Sequence, residues 1–181
     1  VTAALAVRAV GAGKTLGVLM PERDSDPESL RLGKLVADAF GIPYVIEDIG
    51  PILDAAGCYR RGDEAIRKIV PEFGPEWGCK AVIDGAGHGG LNLTSLVTRS
   101  PAGETRKVRM PLDVYQAVIA ATNMKQRTRK QLEYYHADRL NYAVAGTPNR
   151  LEYDQGFFVK NGDGAADVKP IAHLYKTQVY Q

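Results

Sequence analysis

The segment from Asn123 to Lys176 contains the densest group of residues that could do chemistry. Its cations are of the types that bind phosphate or carboxylate groups: Arg127, Arg129, Lys160 and Lys176. Its acids are of the types that hold Mg²⁺ or sugar hydroxyls: Glu152, Asp163 and Asp167. Charged loops are common at protein surfaces, so a solvated loop beside a basic helix face explains the same composition. The residue types alone leave both interpretations open.

A predicted strand at 141–146 comes directly before most of these acids and cations. Ligands of open α/β sheets bind beyond the carboxyl ends of the strands, so this position favours a binding site. The run Gly162–Asp163–Gly164 would let the backbone approach a ligand closely, because glycine has no side chain.

The run Gly11–Thr15 ends like a phosphate-binding P-loop, but the full pattern requires a glycine at the position of Arg8. A P-loop also follows a strand and opens a helix, whereas this run follows a predicted helix and opens a predicted strand. We therefore predict that it is a helix-to-strand turn.

Histidine and cysteine provide no metal-ligand spacing. The three histidines lie far apart at 88, 136 and 173, and we expect each to be on the surface or hydrogen-bonded. Cys58 and Cys79 have no nearby histidine that would activate a nucleophile, so we expect buried or inert thiols.

Residues 1–49 show the order helix, strand, helix, strand that is typical of a parallel sheet covered by helices. The strands are predicted at 15–20 and 44–49, and the first helix at 1–10. Two signals mark the start of the second helix, which Gly41 closes: a Ser25–Glu28 capping box, and Asp26 before Pro27. Apolar residues recur on one face of this helix: Leu32, Leu35, Val36, Ala39 and Phe40.

A long helix is predicted from Pro111 to about Leu140, with a break near Thr122–Asn123 as an alternative. A polar loop at 148–169 follows the 141–146 strand, and a further helix is predicted at 170–181. We predict a single domain over 1–181, with 58–110 as an insertion or subdomain. Within 58–110 we expect a short helix at 63–70, a strand at 80–84, a flexible Gly85–Gly90 stretch and a β-hairpin of 93–99 with 105–110.

The overall composition narrows the class of protein. The chain has 181 residues with 23 Lys and Arg against 21 Asp and Glu, and a net charge of +2 does not argue for a nucleic-acid partner. No apolar run reaches the roughly 20 residues of a membrane span, and we expect no membrane partner and a cytoplasmic location. Both ends fall inside helical patterns, so we expect a natural protein longer than this chain.

The later motifs resemble the NAD synthetase family, which comprises amide-forming N-type ATP pyrophosphatases. The resemblance rests on Gly146–Glu152, on Gly156–Asp167, and on Pro170 and Lys176 at the family's spacing. The strand endings Met20–Pro21 and Glu47–Ile49 are similar to the family as well, whereas 58–110 is not. The resemblance implies an α/β fold, a Rossmann-like three-layer α/β/α arrangement with a mostly parallel sheet and an inserted β-hairpin region.

The resemblance also implies a role for individual residues. The ATP contacts would be Leu19 and Met20 at the adenine, with Thr147 and Lys176. The deamido-NAD contacts would be Arg127, Lys160 and Asp167, the last two in catalytic positions. Glu152 would ligate Mg²⁺. Leu19 stands where some members carry an arginine, which leaves the triphosphate contacts at this edge open.

The implied reaction is ATP-dependent amidation of deamido-NAD to NAD through an acyl-adenylate, which releases AMP and pyrophosphate. Ammonia would be free or supplied by a glutaminase, and the protein would be a homodimer with the Pro111 helix as a candidate interface. The family's Ser-Gly-Gly-x-Asp-Ser loop is expected immediately upstream of Val1. Two alternatives remain: another amide-forming ATP pyrophosphatase with a different carboxylate substrate, and a non-catalytic nucleotide-binding relative.

Overall fold

The computed structural model describes residues 1–84 and 93–181 and divides the chain into two compact units. Unit 1 consists of Val1–Ile52 and Lys125–Gln181, and unit 2 consists of Leu53–Met124. The Gly85–Gly90 stretch that we expected to be flexible lies outside the described residues, as does His88. A single domain with an insertion at 58–110 stays a prediction.

Unit 1 begins with the predicted order of elements. Helix α1 (Thr2–Val10) is followed by a 3₁₀ turn at Ala12–Lys14, strand β1 (Gly17–Leu19), helix α2 (Pro27–Phe40) and strand β2 (Tyr44–Ile46). The 3₁₀ turn confirms the helix-to-strand interpretation of Gly11–Thr15. Strands β1 and β2 pair in parallel, with Gly17 opposite Tyr44, so the α/β class with a parallel sheet is confirmed.

Helix α2 uses the second of its two predicted start signals. The Asp26 side chain accepts a hydrogen bond from the Glu28 backbone N–H at 2.9 Å, and Pro27 occupies the first turn. Gly41 ends the helix with a φ of 65°, a conformation that favours glycine. Gly33 faces β1, since a Cβ there would lie 3.0 Å from a Leu19 methyl group.

The apolar residues that recur along α2 are not on its buried side. Their side chains remain between 43% and 55% exposed at Leu32, Leu35, Val36 and Phe40, whereas Ala37 is 4% exposed. The 3.6-residue period therefore predicted the helix, but it did not identify the face that packs on the sheet within the part of the chain that the structure describes.

The later part of unit 1 contains less regular structure than expected. The predicted strand at 141–146 is wrong, because within residues 1–84 and 93–181 this segment makes one isolated parallel bridge, between Ala145 and Val168, and no strand. The predicted loop at 148–169 contains helix α6 (Arg150–Asp154), and the predicted helix at 170–181 is reduced to α7 (Lys176–Val179). An apolar run becomes a strand only where a neighbouring strand accepts its hydrogen bonds.

Unit 2 contains helix α4 (Cys58–Arg67) and an antiparallel sheet with the order β3–β4–β5. The strands are β3 (Gly78–Asp84), β4 (Leu93–Arg99) and β5 (Thr105–Arg109), which confirms the predicted hairpin. A buried apolar cluster joins the sheet to the helices: Ile66, Val70, Phe73, Leu96, Met110 and Val114. Buried Cys58 packs its thiol against the Ala121 carbonyl, with Sγ and O 3.3 Å apart.

Two helices cross the unit boundary: α3 (Gly50–Ala55) and α5 (Leu112–Leu140). Helix α5 runs for 29 residues without the alternative break at Thr122–Asn123. The Thr122 hydroxyl donates to the Val118 carbonyl at 3.0 Å, so the helix itself accommodates this polar side chain. None of the helices in 1–84 and 93–181 combines the length and apolar character that crossing a membrane requires.

Candidate functional site

A cavity of about 680 Å³ lies at the carboxyl end of β1 in unit 1. Its wall is formed by the end of β1, the loop that follows it, the first turn of α2, and Arg129 from α5. Both residues expected at the adenine, Leu19 and Met20, line this cavity. The carboxyl end of a parallel strand is where ligands of α/β sheets bind, and their contact with adenine stays a prediction.

An ion-pair cluster holds the loop that follows β1. Lys125 of α5 pairs with Glu22 at 3.3 Å between Nζ and Oε2, and it also pairs with Asp24. The Glu22 side chain is only 5% exposed. Partial burial raises the pKa of the Asp24 carboxyl, but hydrogen bonds and charges from Arg23 and Lys125 outweigh it and leave the pKa below its usual value.

Two of the expected substrate-binding residues lie side by side. Arg127 donates from Nε to the backbone carbonyl of Lys160 at 3.1 Å. Both residues are exposed, so their charged groups are accessible to a ligand. This hydrogen bond fixes the Lys160 segment against α5, and it brings together cations that are 33 residues apart in sequence.

Asp167 has a structural task in addition to the expected catalytic one. Its Oδ1 accepts from the Tyr134 hydroxyl at 3.0 Å, and its Oδ2 accepts from the Val144 backbone N–H at 2.8 Å. Burial raises the pKa of Tyr134, and the hydrogen bond to Asp167 raises it further. Asp167 thereby ties the 141–146 segment to α5.

The glycines in the 162–164 run are required by internal packing. A Cβ at Gly164 would overlap the ring of Phe158, and a Cβ at Gly162 would lie 2.9 Å from the Cβ of Gln126. Asp163 closes the turn by accepting from the Val159 backbone N–H at 2.8 Å. Close approach to other parts of the chain therefore explains these glycines without a ligand.

Glu152 lies in the first turn of α6 and forms a capping box with Asn149. Its Oε2 accepts from the Asn149 backbone N–H at 2.7 Å, while the Asn149 side chain accepts from the backbone N–H groups of Leu151 and Glu152. Within the described part of the chain, Glu152 Oε1 has no hydrogen-bond partner.

Any Mg²⁺ at these residues would have to be held by their carboxylates. Across 1–84 and 93–181, no group of three or more His, Cys, Asp or Glu side chains could hold a metal ion. Mg²⁺ commonly binds one or two carboxylates and completes its shell with substrate phosphates and water. Glu152 with its second oxygen available therefore fits a single ligand of such a Mg²⁺, and its metal role stays a prediction.

The two remaining expected ATP contacts border α6 on either side. Thr147 is exposed just before the helix, and Lys176 is the first residue of α7. Arg150 brings α7 close, because its backbone N–H donates to the Leu174 carbonyl at 2.9 Å and its guanidinium lies 4.8 Å from the Tyr175 ring centre. The roles of Thr147 and Lys176 in binding ATP stay predictions.

A buried polar chain around His136 was missed at the level of the sequence. His136 is 5% exposed, with Nε2 2.9 Å from Glu47 Oε1, and Arg139 donates from Nε to its Nδ1 at 2.9 Å. The available signal was helical spacing, since Lys125, Arg129 and His136 lie four and then seven residues apart and so share one face of α5. Each of them contacts the chain at or beyond the end of β1 or β2.

These features define an α/β protein with a ligand cavity at the carboxyl end of a parallel strand and charged loops on the same unit. A model of the NAD synthase family matches residues 1–70 and 102–181. The chain belongs to this family.

The chain is similar to curated NH(3)-dependent NAD(+) synthetases. It is 68% identical over 181 residues to that of Rhizobium meliloti (strain 1021), an alignment that covers 99% of this chain and 54% of the relative. It is 63% identical over 182 residues to that of Rhizobium rhizogenes (strain K84 / ATCC BAA-868), covering 100% of this chain and 55% of the relative. The chain therefore spans about half the length of the curated relatives it matches.

Solved structures show the same fold. The NMN synthetase from Francisella tularensis has a TM-score of 0.62 at 20% identity, over 98% of this chain and 52% of that protein. At this identity the similarity concerns the fold alone.

Proposed function

We propose that this protein catalyses the ATP-dependent amidation of deamido-NAD to NAD, with free ammonia as the nitrogen donor. The observation that carries the proposal is the 68% identity, across nearly the whole chain, to an NH(3)-dependent NAD(+) synthetase. Several relatives of that name align with the complete charged segment that the sequence motifs identified.

The chemistry begins from a carboxylate that ammonia cannot attack, because its leaving group would be oxide. The nicotinate carboxylate attacks the α-phosphorus of ATP, which forms an acyl-adenylate and releases pyrophosphate. Ammonia then adds to the acyl carbon, AMP leaves with the electron pair of the broken C–O bond, and a proton is lost to give the amide. No side-chain nucleophile is needed, so the protein acts by positioning and charge stabilisation.

In this proposal the adjacent pair Arg127 and Lys160 binds the anionic dinucleotide. Their hydrogen bond through the Lys160 carbonyl leaves the Lys160 ammonium available for the reacting carboxylate. Asp167 would contact the dinucleotide at this end, and its hydrogen bonds with the Tyr134 hydroxyl and the Val144 backbone N–H would hold the carboxylate in place.

ATP would occupy the cavity at the end of β1, with the backbone of Leu19 and Met20 along the adenine. Thr147 and Lys176 would contact the phosphates. Glu152 would hold Mg²⁺ through its second carboxylate oxygen, and the metal would neutralise charge on the leaving pyrophosphate.

We further propose a homodimer in the cytoplasm. Both cysteines are free thiols, as expected in a reducing compartment. Helix α5 is the candidate interface, since its first residue, Leu112, exposes 70% of its surface.

The test is a product assay on the full-length protein with ATP, Mg²⁺, ammonium and deamido-NAD. We expect NAD, AMP and pyrophosphate in equal amounts, and no NAD when glutamine replaces ammonium. Turnover with another carboxylate, such as nicotinic acid mononucleotide, together with none on deamido-NAD, would establish the alternative substrate. ATP binding without any amide product would establish the non-catalytic alternative.

A further inference from the structure

The cavity at the end of β1 is lined by two arginines that differ in their electrostatic environment. Arg23 belongs to the loop itself and pairs with Asp24 at 2.8 Å. Arg129 comes from α5, and its side chain makes one hydrogen bond with the described part of the chain, from Nη2 to the Met20 carbonyl at 3.4 Å. Within residues 1–84 and 93–181, Arg129 has no carboxylate at ion-pair distance.

The direction of Arg129 is set by its neighbours on α5. Lys125, one turn earlier, is fixed to Glu22 and Asp24 on the loop that forms the cavity wall. The residues on either side of Arg129, Thr128 and Lys130, are each 7% exposed. The guanidinium therefore reaches the cavity from a rigid helix whose register against the loop is fixed by ion pairs.

The acidic side chains around the cavity interact with other partners. Glu22 is paired with Lys125, and Asp26 caps α2 by accepting from the Glu28 backbone N–H. A guanidinium has five N–H donors, and Arg129 uses one of them on a neutral carbonyl. The cavity thus presents a cation with unused donors that no acid among residues 1–84 and 93–181 pairs with, which suits an anionic ligand group.

We infer that Arg129 binds a phosphate group of the nucleotide in this cavity. The inference rests on the proposed function for the identity of the nucleotide. Arg129 is then a further binding residue, distinct from the contacts expected at Thr147 and Lys176. It supplies positive charge beside β1, where the sequence carries Leu19 instead of a cation.

The experiment measures binding of ATP and of adenosine to the full-length protein by isothermal titration calorimetry. Arg129→Gln is the informative variant, because it removes the charge and keeps a polar side chain, while adenosine binding reports any effect of losing the contact with the Met20 carbonyl. Arg129→Lys keeps the charge without the planar fork. Arg31→Gln is the matched control, since Arg31 is an exposed arginine that pairs with Glu28 on α2.

We expect Arg129→Gln to weaken ATP binding about tenfold while adenosine binding changes less than about twofold. Arg129→Lys should retain part of the lost ATP affinity, and Arg31→Gln should bind both ligands like the wild type. ATP binding by the wild type should also fall more steeply with added salt than binding by Arg129→Gln.

Equal weakening of ATP and adenosine would overturn the inference, because Arg129 would then only support the Met20 backbone. Unchanged ATP binding by Arg129→Gln, or no ATP binding by the wild type, would overturn it as well. Failure of the proposed reaction has a different signature. It appears as a wild type that binds ATP but forms no NAD, and the comparison of the variants still decides the role of Arg129.

Discussion

Unit 2 and unit 1 are stabilised by different kinds of contact. Unit 2 has a contiguous apolar cluster in which Leu96 and Val114 are 1% exposed and Val70 is fully buried. Unit 1 also buries apolar residues such as Ile49, and it adds polar links between distant parts of the chain, such as Lys125 with Glu22 and Tyr134 with Asp167. Apolar packing stabilises without fixing direction, whereas hydrogen bonds and ion pairs fix particular atoms.

The family match leaves out only part of unit 2. The unmatched residues 71–101 all belong to unit 2, while the matched residues include the whole of unit 1. Polar contacts therefore fix particular atoms of unit 1, whereas unit 2 has a contiguous apolar core of its own.

The largest expected loss of stability comes from the unit 2 core. Leu96→Ala should lower the free energy of unfolding by about 3 kcal/mol, because it removes buried methyl groups and leaves a cavity. Leu35→Ala in unit 1 is the same change at a side chain that is 55% exposed, and it should cost about 0.5 kcal/mol or less. Urea denaturation measures both. Equal losses would show that the α2 face is buried in the full-length protein, and the contrast in apolar packing would fail.

The largest expected loss of activity comes from unit 1. Glu152→Gln should lower turnover about a hundredfold, which corresponds to about 2.7 kcal/mol, because it removes the proposed metal-binding charge. The melting temperature should stay near that of the wild type, since a glutamine oxygen can still accept from the Asn149 N–H. Unchanged turnover would disprove the metal role. Leu96→Ala serves as the complementary control, because its activity per folded molecule should match the wild type.

Loss of the buried ion pair of unit 1 should lower the free energy of unfolding more than loss of an exposed ion pair of unit 2. Lys125→Met should destabilise by about 2 kcal/mol, because it leaves the nearly buried Glu22 carboxylate without this cation. Lys68→Met removes the exposed pair with Asp113 and should cost less than about 0.5 kcal/mol. Thermal and urea unfolding measure the loss of stability in the two variants. Equal losses would show that the ion pair of unit 1 is no more important for stability than the exposed pair of unit 2.

The smallest expected effect is a dependence on pH at Asp24. Because its pKa is lowered in the folded protein, Asp24 contributes stability above its ordinary value of 3.8, and this contribution is lost as the pH falls through the folded pKa. Asp24→Asn should therefore be slightly less stable than the wild type at pH 7, by about 0.5 kcal/mol or less, since the side chain is 42% exposed. The difference should shrink as the pH falls below 3.8 and vanish once the pH is below the lowered pKa of the folded protein. A difference that persists in acid would show that charge is not its cause.

The sequence was sufficient to predict the structure that neighbouring residues determine. Helix α2 begins after Asp26 and ends at Gly41, as the preference of these residue types for helix ends predicts. The two strands around Ser100–Glu104 form the expected hairpin. It was insufficient where the outcome depends on distant partners. The 141–146 segment has the composition of a strand, but it is held by Asp167 and makes only a single bridge, at Ala145.

The candidate site, too, was predicted only in part from the sequence. The motifs located the segment that brings Arg127 against Lys160, but they did not show that Gly164 is required by packing against Phe158. Arg129 was recognised only as one cation among several, because nothing in the sequence shows that it reaches the end of β1. Spacing predicts which residues share a helix face, whereas the fold determines what that face contacts.

The hydrogen bonds around His136 fix the tautomer of its ring. A guanidinium can only donate, so Nδ1 accepts from Arg139 and the ring proton resides on Nε2, where it is donated to Glu47. Rotating the ring by half a turn would exchange a nitrogen for a carbon at both contacts. The imidazole therefore forms both hydrogen bonds in one ring orientation, and its single N–H proton joins α5 to Glu47, the residue that follows β2.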